Sequence, residues 1–384
     1  MEVATYSQTN PTIFGTGAVN LIGEKAKEFG IEKAMIVTDV GLVKVGVVAR
    51  VQGLLKDAGI EVIVFDKVNP DPLDTMINEG GEIARNEKVN GVIGLGGGSV
   101  MDASKGINLL TTNAPPISNY YGSWEYDRGL PLILVPTTAG TGSENTIYGV
   151  ITDSTTNAKK VILTTGDLAI VDPELTYELP AHLTASTGMD VFAHAAESMT
   201  VNMTNPMTKL LAFDAIRKVI KYLPIAVADP TNVEARENMM IASNFAGIAF
   251  SNTCCHLGHA ISQCMGAKFH VPHGISCAWA LPETMAYAAI GKFDEVKGVA
   301  DALGVEYGDN ESPEELGKKV ADNMRAFMKK MNIKSIADYG IKREDMLGDL
   351  VDMVMEDNCF PFIPSPLNRD QVREIIAKVY DTYK

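Results

Sequence analysis

The chain has 384 residues, too many for one ordinary hydrophobic core, so two domains are expected. Its formal net charge of −15 argues against nucleic acid and anionic membrane surfaces as partners, because both recruit basic patches. The first residues lack a basic segment followed by an apolar run, and no uninterrupted apolar stretch is long enough to span a bilayer; a cytoplasmic protein is expected. The five cysteines, Cys254, Cys255, Cys264, Cys277 and Cys359, form no CxxC pair and read as reduced.

The first half alternates strand and helix signals. Ala34–Thr38 is a short apolar run followed by Asp39, and Leu42–Leu55 has helical spacing. Val62–Phe65 is the next strand, then a turn at Asn69–Pro72 and a helix to about Asn86. Gly91–Leu95 is a third strand, followed by Gly96-Gly-Gly-Ser99 and a helix to about Leu110, and Leu132–Val135 is a fourth. Continuous apolar strands separated by helices predict a mostly parallel sheet with helices on both faces. Two β-rich runs flanking Asp153–Asn157 predict a β-hairpin, and Ala169–Val171 a last strand. From about Pro180 the pattern is helical, with starts marked by Asn205-Pro206, Asp229-Pro-Thr231 and Asn368-Arg-Asp-Gln371. The expected division is therefore an α/β domain over 1–180 and an all-α domain over 181–384.

Three stretches carry chemistry. All six histidines fall between His182 and His273. Asp190 and His194 are four apart and share a helix face in an apolar, alanine-rich setting. As a pair they are equally readable as a buried hydrogen-bonded couple. With His259 and His273 they make one carboxylate and three imidazoles, a set suited to iron(II) or zinc and unsuited to magnesium or calcium. A thiolate ligand from the neighbouring cysteines is the less favoured option. The second stretch, Gly96-Gly-Gly-Ser99-Val-Met-Asp102, lies between a strand and a helix. There glycines admit a pyrophosphate to the helix N-terminus, although such a turn also occurs as a plain tight loop. The third, Pro136–Glu144, follows a strand and is dense in hydroxyls and glycines, suiting a ribose or nicotinamide edge. Asp39 is placed either to accept hydrogen bonds from an adenosine ribose, favouring NAD over NADP, or to cap the next helix, or to do both.

In that order and at those separations, Gly96-Gly-Gly-Ser-Val-Met-Asp-Ala-Ser-Lys105, Pro136–Glu144, Asp190-x-x-x-His194 and His259-x13-His273-Gly resemble the iron-containing (group III) alcohol dehydrogenases, over essentially the whole chain. The resemblance implies that the α/β domain is dinucleotide-binding and the all-α domain metal- and substrate-binding, with metal ligation by Asp190, His194, His259 and His273. It also implies cofactor contacts from Asp39, Gly97, Gly98, Ser99, Asp102, Thr137, Thr138 and Lys160. The implied activity is hydride transfer between a small primary alcohol or diol and NAD, with iron(II), alternatively zinc, as the metal and a homodimer or larger assembly. His259, His270 and Asp102 are the expected catalytic groups. Where family members often carry a histidine four residues after the third ligand, this chain has Gln263, which cannot serve as general acid or base; His256 and His270 are the nearby candidates to replace it. Phe250, Met265, Trp279 and Phe360 are candidates to line an apolar substrate pocket. Three rivals stand beside this reading. One is a hydroxyacid dehydrogenase or hydroxyacid–oxoacid transhydrogenase, which needs a cation for the substrate carboxylate. The others are a lyase of the dehydroquinate synthase type and a non-enzymatic binding protein.

Overall fold

A computed structural model describes residues 4–384, which group into two compact units. The first to be described comprises Gln8–Thr138 and Gly142–Glu178. Its strands are β1 (Thr12–Phe14), β2 (Lys33–Val37), β3 (Glu61–Phe65), β4 (Gly91–Gly96), β5 (Leu132–Pro136), β6 (Tyr148–Thr152), β7 (Lys159–Leu163) and β8 (Leu168–Val171). Six form one sheet in the order β1-β8-β5-β4-β2-β3, and every pairing in it is parallel. A parallel sheet is buried on both faces, which is why β2, β4 and β5 read as unbroken apolar runs. Two apolar clusters result, one containing Met35, Ile77, Ile107 and Leu134, the other Ile36, Leu55, Ile93 and Val135. Successive residues of β2 and β5 thus serve opposite faces.

The helices of this unit are α1 (Ile22–Glu28), α2 (Val40–Lys44), α3 (Val47–Asp57), α4 (Asp74–Asn86) and α5 (Gly98–Thr112). The single helix expected over Leu42–Leu55 is two, because Gly46 adopts φ 83°, a left-handed conformation that ends one helix and starts the next. β1 and α1 carry too short a signal to be predicted. The expected hairpin is present: β6 and β7 pair antiparallel, and the Asp153 carboxylate accepts from the Thr155 and Thr156 amides to close the turn.

The second unit comprises the segment ending at Ser7, Ala139–Thr141 and Leu179–Lys384. It is helical: α6 (Ala181–Thr200), α7 (Pro206–Ala228), α8 (Val233–Thr253), α9 (Leu257–Phe269), α10 (His273–Gly291), α11 (Phe293–Leu303) and α12 (Pro313–Lys330), then shorter helices and a last one over Arg369–Thr382. Asn205 caps α7 with Pro206 at its first turn, and Asn368 with Gln371 makes a capping box for the last helix, as their sequences predict. Asp229 does not open α8. Its carboxylate accepts from the Thr231 amide in the preceding turn, and the cap is Asn232, whose side chain accepts from the Ala235 amide. The unit changes at Glu178/Leu179, and the short piece Ala139–Thr141 belongs with the helices because the Gly140 amide donates to Ser243 Oγ.

Candidate metal centre and nucleotide loops

In the helical unit, α6 supplies Asp190 and His194 from one face, α9 supplies His259, and α10 begins with His273. Asp190 Oδ1 lies 3.6 Å from His194 Nδ1, 3.8 Å from His259 Nε2 and 3.5 Å from His273 Nε2. Each imidazole thus lies near the same carboxylate oxygen, but the donor atoms that are all close to one another are those of Asp190, His259, His273 and Cys277, while His194 groups with Cys255 and His259. Asp190 and His194 are almost wholly enclosed, whereas the His273 side chain is 42% exposed, so the cluster opens on that side.

Two atoms test whether a cation fits. Asp190 Oδ1 and His194 Nδ1 are buried and have no hydrogen-bond partner. An orphaned buried carboxylate oxygen facing imidazole nitrogens is costly in a finished core and expected where an ion completes the set. Burial pulls the His194 imidazole down to about 3, leaving it neutral with a lone pair to give. Burial works against ionisation of Asp190, but the positive His273 and the His259 ring facing it hold its carboxyl below the ordinary range. The half-exposed His273 imidazole is held up to about 9 by Cys277 and Asp190 beside it. Without a cation, protons supply the positive charge the anionic groups demand; a bound cation displaces them.

The sequence reading missed the residue that orients this set. Glu197, fully buried on α6, accepts from the His256 amide at 2.9 Å and the His259 amide at 3.2 Å, and meets His259 Nδ1 at 2.8 Å. It thereby caps the start of α9 and fixes the His259 proton on Nδ1, so that Nε2 faces Asp190. Glu197 stands three residues after His194 and seven after Asp190, a helical spacing that marks it on the same face. Gly258 lies against it: a Cβ there would collide with Glu197 Oε1. Ser262 Oγ does a comparable service for His273, at 3.2 Å from Nδ1.

The remaining candidates of this region are dispersed. His256 is fully buried, with Nε2 at 2.9 Å from Thr200 Oγ1, and does not face the cluster's open side. His270 is exposed at the C-terminus of α9 with φ 56°. Gln263 reaches Cys359 Sγ at 3.4 Å. Phe250 stacks on His194, with ring centroids 4.2 Å apart. Trp279 is almost wholly buried: its indole N–H donates to the Lys334 carbonyl at 2.8 Å and its ring packs edge-on to Tyr339.

In the sheet unit, Gly97 is the N-cap of α5, and Gly97, Gly98 and Ser99 are partly exposed above the end of β4. A Cβ at Gly97 would press on Thr138, and the Thr137 amide donates to the Gly96 carbonyl at 2.9 Å, so the β4 and β5 loops lie side by side. This is the carboxyl edge of a parallel sheet, where adjacent loops form ligand crevices. Asp102 accepts from Ser143 Oγ at 2.7 Å. Beneath it Lys105, wholly buried, donates to the Ser143 carbonyl, Thr146 Oγ1 and the Tyr148 carbonyl at 2.8, 3.0 and 2.6 Å, anchoring the segment that follows β5. Asp39 caps α2, its Oδ1 accepting from the Gly41 and Leu42 amides. Lys160 sits on β7, paired with Ile151.

With that geometry in hand, comparison with known proteins decides the family. The iron-containing alcohol dehydrogenase profile matches residues 9–173, and the profile of the Fe-containing alcohol dehydrogenase family, C-terminal, matches residues 184–380. The chain belongs to the iron-containing alcohol dehydrogenase family. It is thus an oxidoreductase. It is 35% identical over 370 residues to the NAD-dependent methanol dehydrogenase of Bacillus methanolicus, covering 95% of this chain and 97% of that protein. It superimposes on a 1,3-propanediol oxidoreductase with a TM-score of 0.94 at 33% identity, over 99% of this chain and 100% of that one. The sulfoacetaldehyde reductase of Bifidobacterium kashiwanohense, solved in complex with NAD+, matches with a TM-score of 0.89 at 30% identity, over 100% of both chains.

Proposed function

We propose that this alcohol dehydrogenase interconverts a small primary alcohol or diol and its aldehyde, using NAD and a divalent metal, iron(II) or alternatively zinc. The observation that carries the reading is the convergence of His194, His259 and His273 on the unpartnered Asp190 Oδ1. Asp190, His194, His259 and His273 hold the cation, which when bound supplies Lewis acidity toward the substrate oxygen. Glu197 keeps His259 in the tautomer that presents Nε2. Gly97, Gly98 and Ser99 receive the pyrophosphate at the α5 N-terminus, Thr137, Thr138 and Lys160 contact the rest of the dinucleotide, and Asp39 selects the unphosphorylated ribose. Asp102, held by Ser143, orients the nicotinamide end. His270 carries the alcohol proton to solvent. Lys268, the lysine on the helix that bears His259, pairs with Asp349 on the surface; with no other Lys or Arg on that helix, this favours an uncharged alcohol over a hydroxyacid.

Among the described residues no helix is long and apolar enough to cross a membrane, and all five cysteines are free, which suits a reducing cytoplasm. A homodimer or larger assembly is proposed, to be measured by light scattering. The functional test is NAD reduction by anaerobically purified protein of known metal content, over butanol, 1,3-propanediol and 4-hydroxybutyrate. Alcohol-dependent reduction abolished by a chelator and restored by iron(II) or zinc is expected. Turnover of 4-hydroxybutyrate alone, or turnover indifferent to chelation, refutes the proposal.

A further inference from the structure

Cys277 follows His273 by four residues on α10, so the two side chains leave one helix face. Its Sγ lies 3.6 Å from His273 Nε2 and 3.8 Å from His259 Nε2, the same ring atoms that face Asp190 Oδ1. A nitrogen at ~2.05 Å and a sulfur at ~2.3 Å from one tetrahedral cation are about 3.6 Å apart, and a nitrogen and an oxygen about 3.4 Å apart. The spacings found here match ligands arranged around a shared centre; the nitrogen–oxygen ones are too long for hydrogen bonds, whereas the sulfur–nitrogen ones are also of thiol hydrogen-bond length, so the test below separates the two. One donor atom from each of Asp190, His259, His273 and Cys277 lies within 4.8 Å of all the others. The Cys277 thiol has one further partner, Ser262 Oγ at 3.1 Å, which can turn and donate to a thiolate. The orphaned Asp190 Oδ1, in a side chain only 4% exposed, points independently to an ion at this place.

We infer that Cys277 is itself a ligand, so that the cation is held by a mixed sulfur, nitrogen and oxygen set. The inference rests on the metal-binding part of the function proposed above. As the metal–sulfur bond forms, the S–H bond breaks with its electron pair left on sulfur, the thiolate shares that pair with the metal, whose oxidation state does not change, and the proton leaves to the buffer. A sulfur in the set shifts preference from iron(II) toward zinc and cobalt(II). Cys255, which forms a second donor group with His194 and His259, serves as the internal comparison.

The test loads metal-free, full-length protein anaerobically with cobalt(II) and records its optical spectrum. Zinc-loaded wild-type protein is examined in parallel by X-ray absorption. The wild type is expected to show visible ligand-field bands together with a near-ultraviolet sulfur-to-cobalt charge-transfer band, and one sulfur at ~2.3 Å from zinc. Cys277→Ser loses the charge-transfer band and keeps the ligand-field bands; Cys255→Ser keeps both. Ligand-field bands without charge transfer, with a zinc shell of nitrogen and oxygen only, overturn the inference and leave the metal reading standing. A band that disappears in Cys255→Ser and persists in Cys277→Ser also overturns it. Failure of the wild type to bind either metal sinks the metal reading along with it. Because the decisive measurements are made on wild-type protein, misfolding of a variant does not protect the inference.

Discussion

Replacing Glu197 with glutamine tests the orientation argument at nearly constant volume. The carboxylate accepts from two backbone amides and one imidazole, all buried. Glutamine keeps one acceptor oxygen and turns an N–H₂ toward a position that was accepting, so at least one of those three donors is orphaned. An orphaned buried donor costs roughly 1–3 kcal/mol, and taking about 2 kcal/mol for one gives a fall in Tm of ~4–8 °C for a unit of this size. The imidazole also loses its anionic partner, and changes of that kind lower metal affinity by about 10–100-fold. Calorimetry of metal-free protein reads the first effect and competition against a chelator the second. Gly258→Ala should reproduce both, since its Cβ displaces Glu197 Oε1. A Glu197→Gln protein with unchanged Tm and zinc affinity within twofold of wild type refutes the positioning role.

Three further outcomes are expected. Burial lowers the Lys105 amine from 10.5 to about 8, so below pH 8 the full cost of enclosing its charge is present. Between pH 8 and 10.5 the folded protein loses that proton before the unfolded chain does. Wild-type stability should therefore rise relative to Lys105→Met by about 3 kcal/mol across the window, measured by urea unfolding; a pH-independent difference disproves it. His270→Asn, preferred to alanine because asparagine tolerates φ 56°, should lower kcat by about a hundredfold, and an unaltered kcat takes His270 out of the proton route. Asp39→Asn keeps the helix cap and removes the charge, so kcat/KM with NADP relative to NAD should rise about tenfold or more, for ~1.4 kcal/mol of relieved repulsion; no change assigns Asp39 to capping alone.

Most of the fold is legible in the sequence, because buried parallel strands and capped helices leave strong periodic signals. The losses have local causes. Gly46 splits one helix into two by a conformation that apolar spacing does not reveal. Asn232 outcompetes Asp229 as a cap because the Asp229 carboxylate is already committed to Thr231. Ala139–Thr141 joins the helical unit through a bond to Ser243, a partner 103 positions away, which no local pattern encodes. At the site, Asp190, His194, His259 and His273 stand out as polar residues in apolar surroundings, and the structure draws them together around Asp190. Glu197 shares the same helical spacing but carries no histidine to draw attention to it. Cys277 reads as a small apolar side chain until its distance to two imidazoles is known.

The cluster draws on three helices, α6, α9 and α10, none of which holds more than two of the five proposed ligands. An unfolded chain cannot bring them to one point, so a cation binds the native form alone. Occupancy is then a source of stability by mass action: about 2.7 kcal/mol at a free metal concentration a hundred times Kd, and more as the concentration climbs. A chelator becomes a mild denaturant, and a melting curve becomes a metal titration. Growth on scarce metal would lower the heat tolerance of this protein together with its activity.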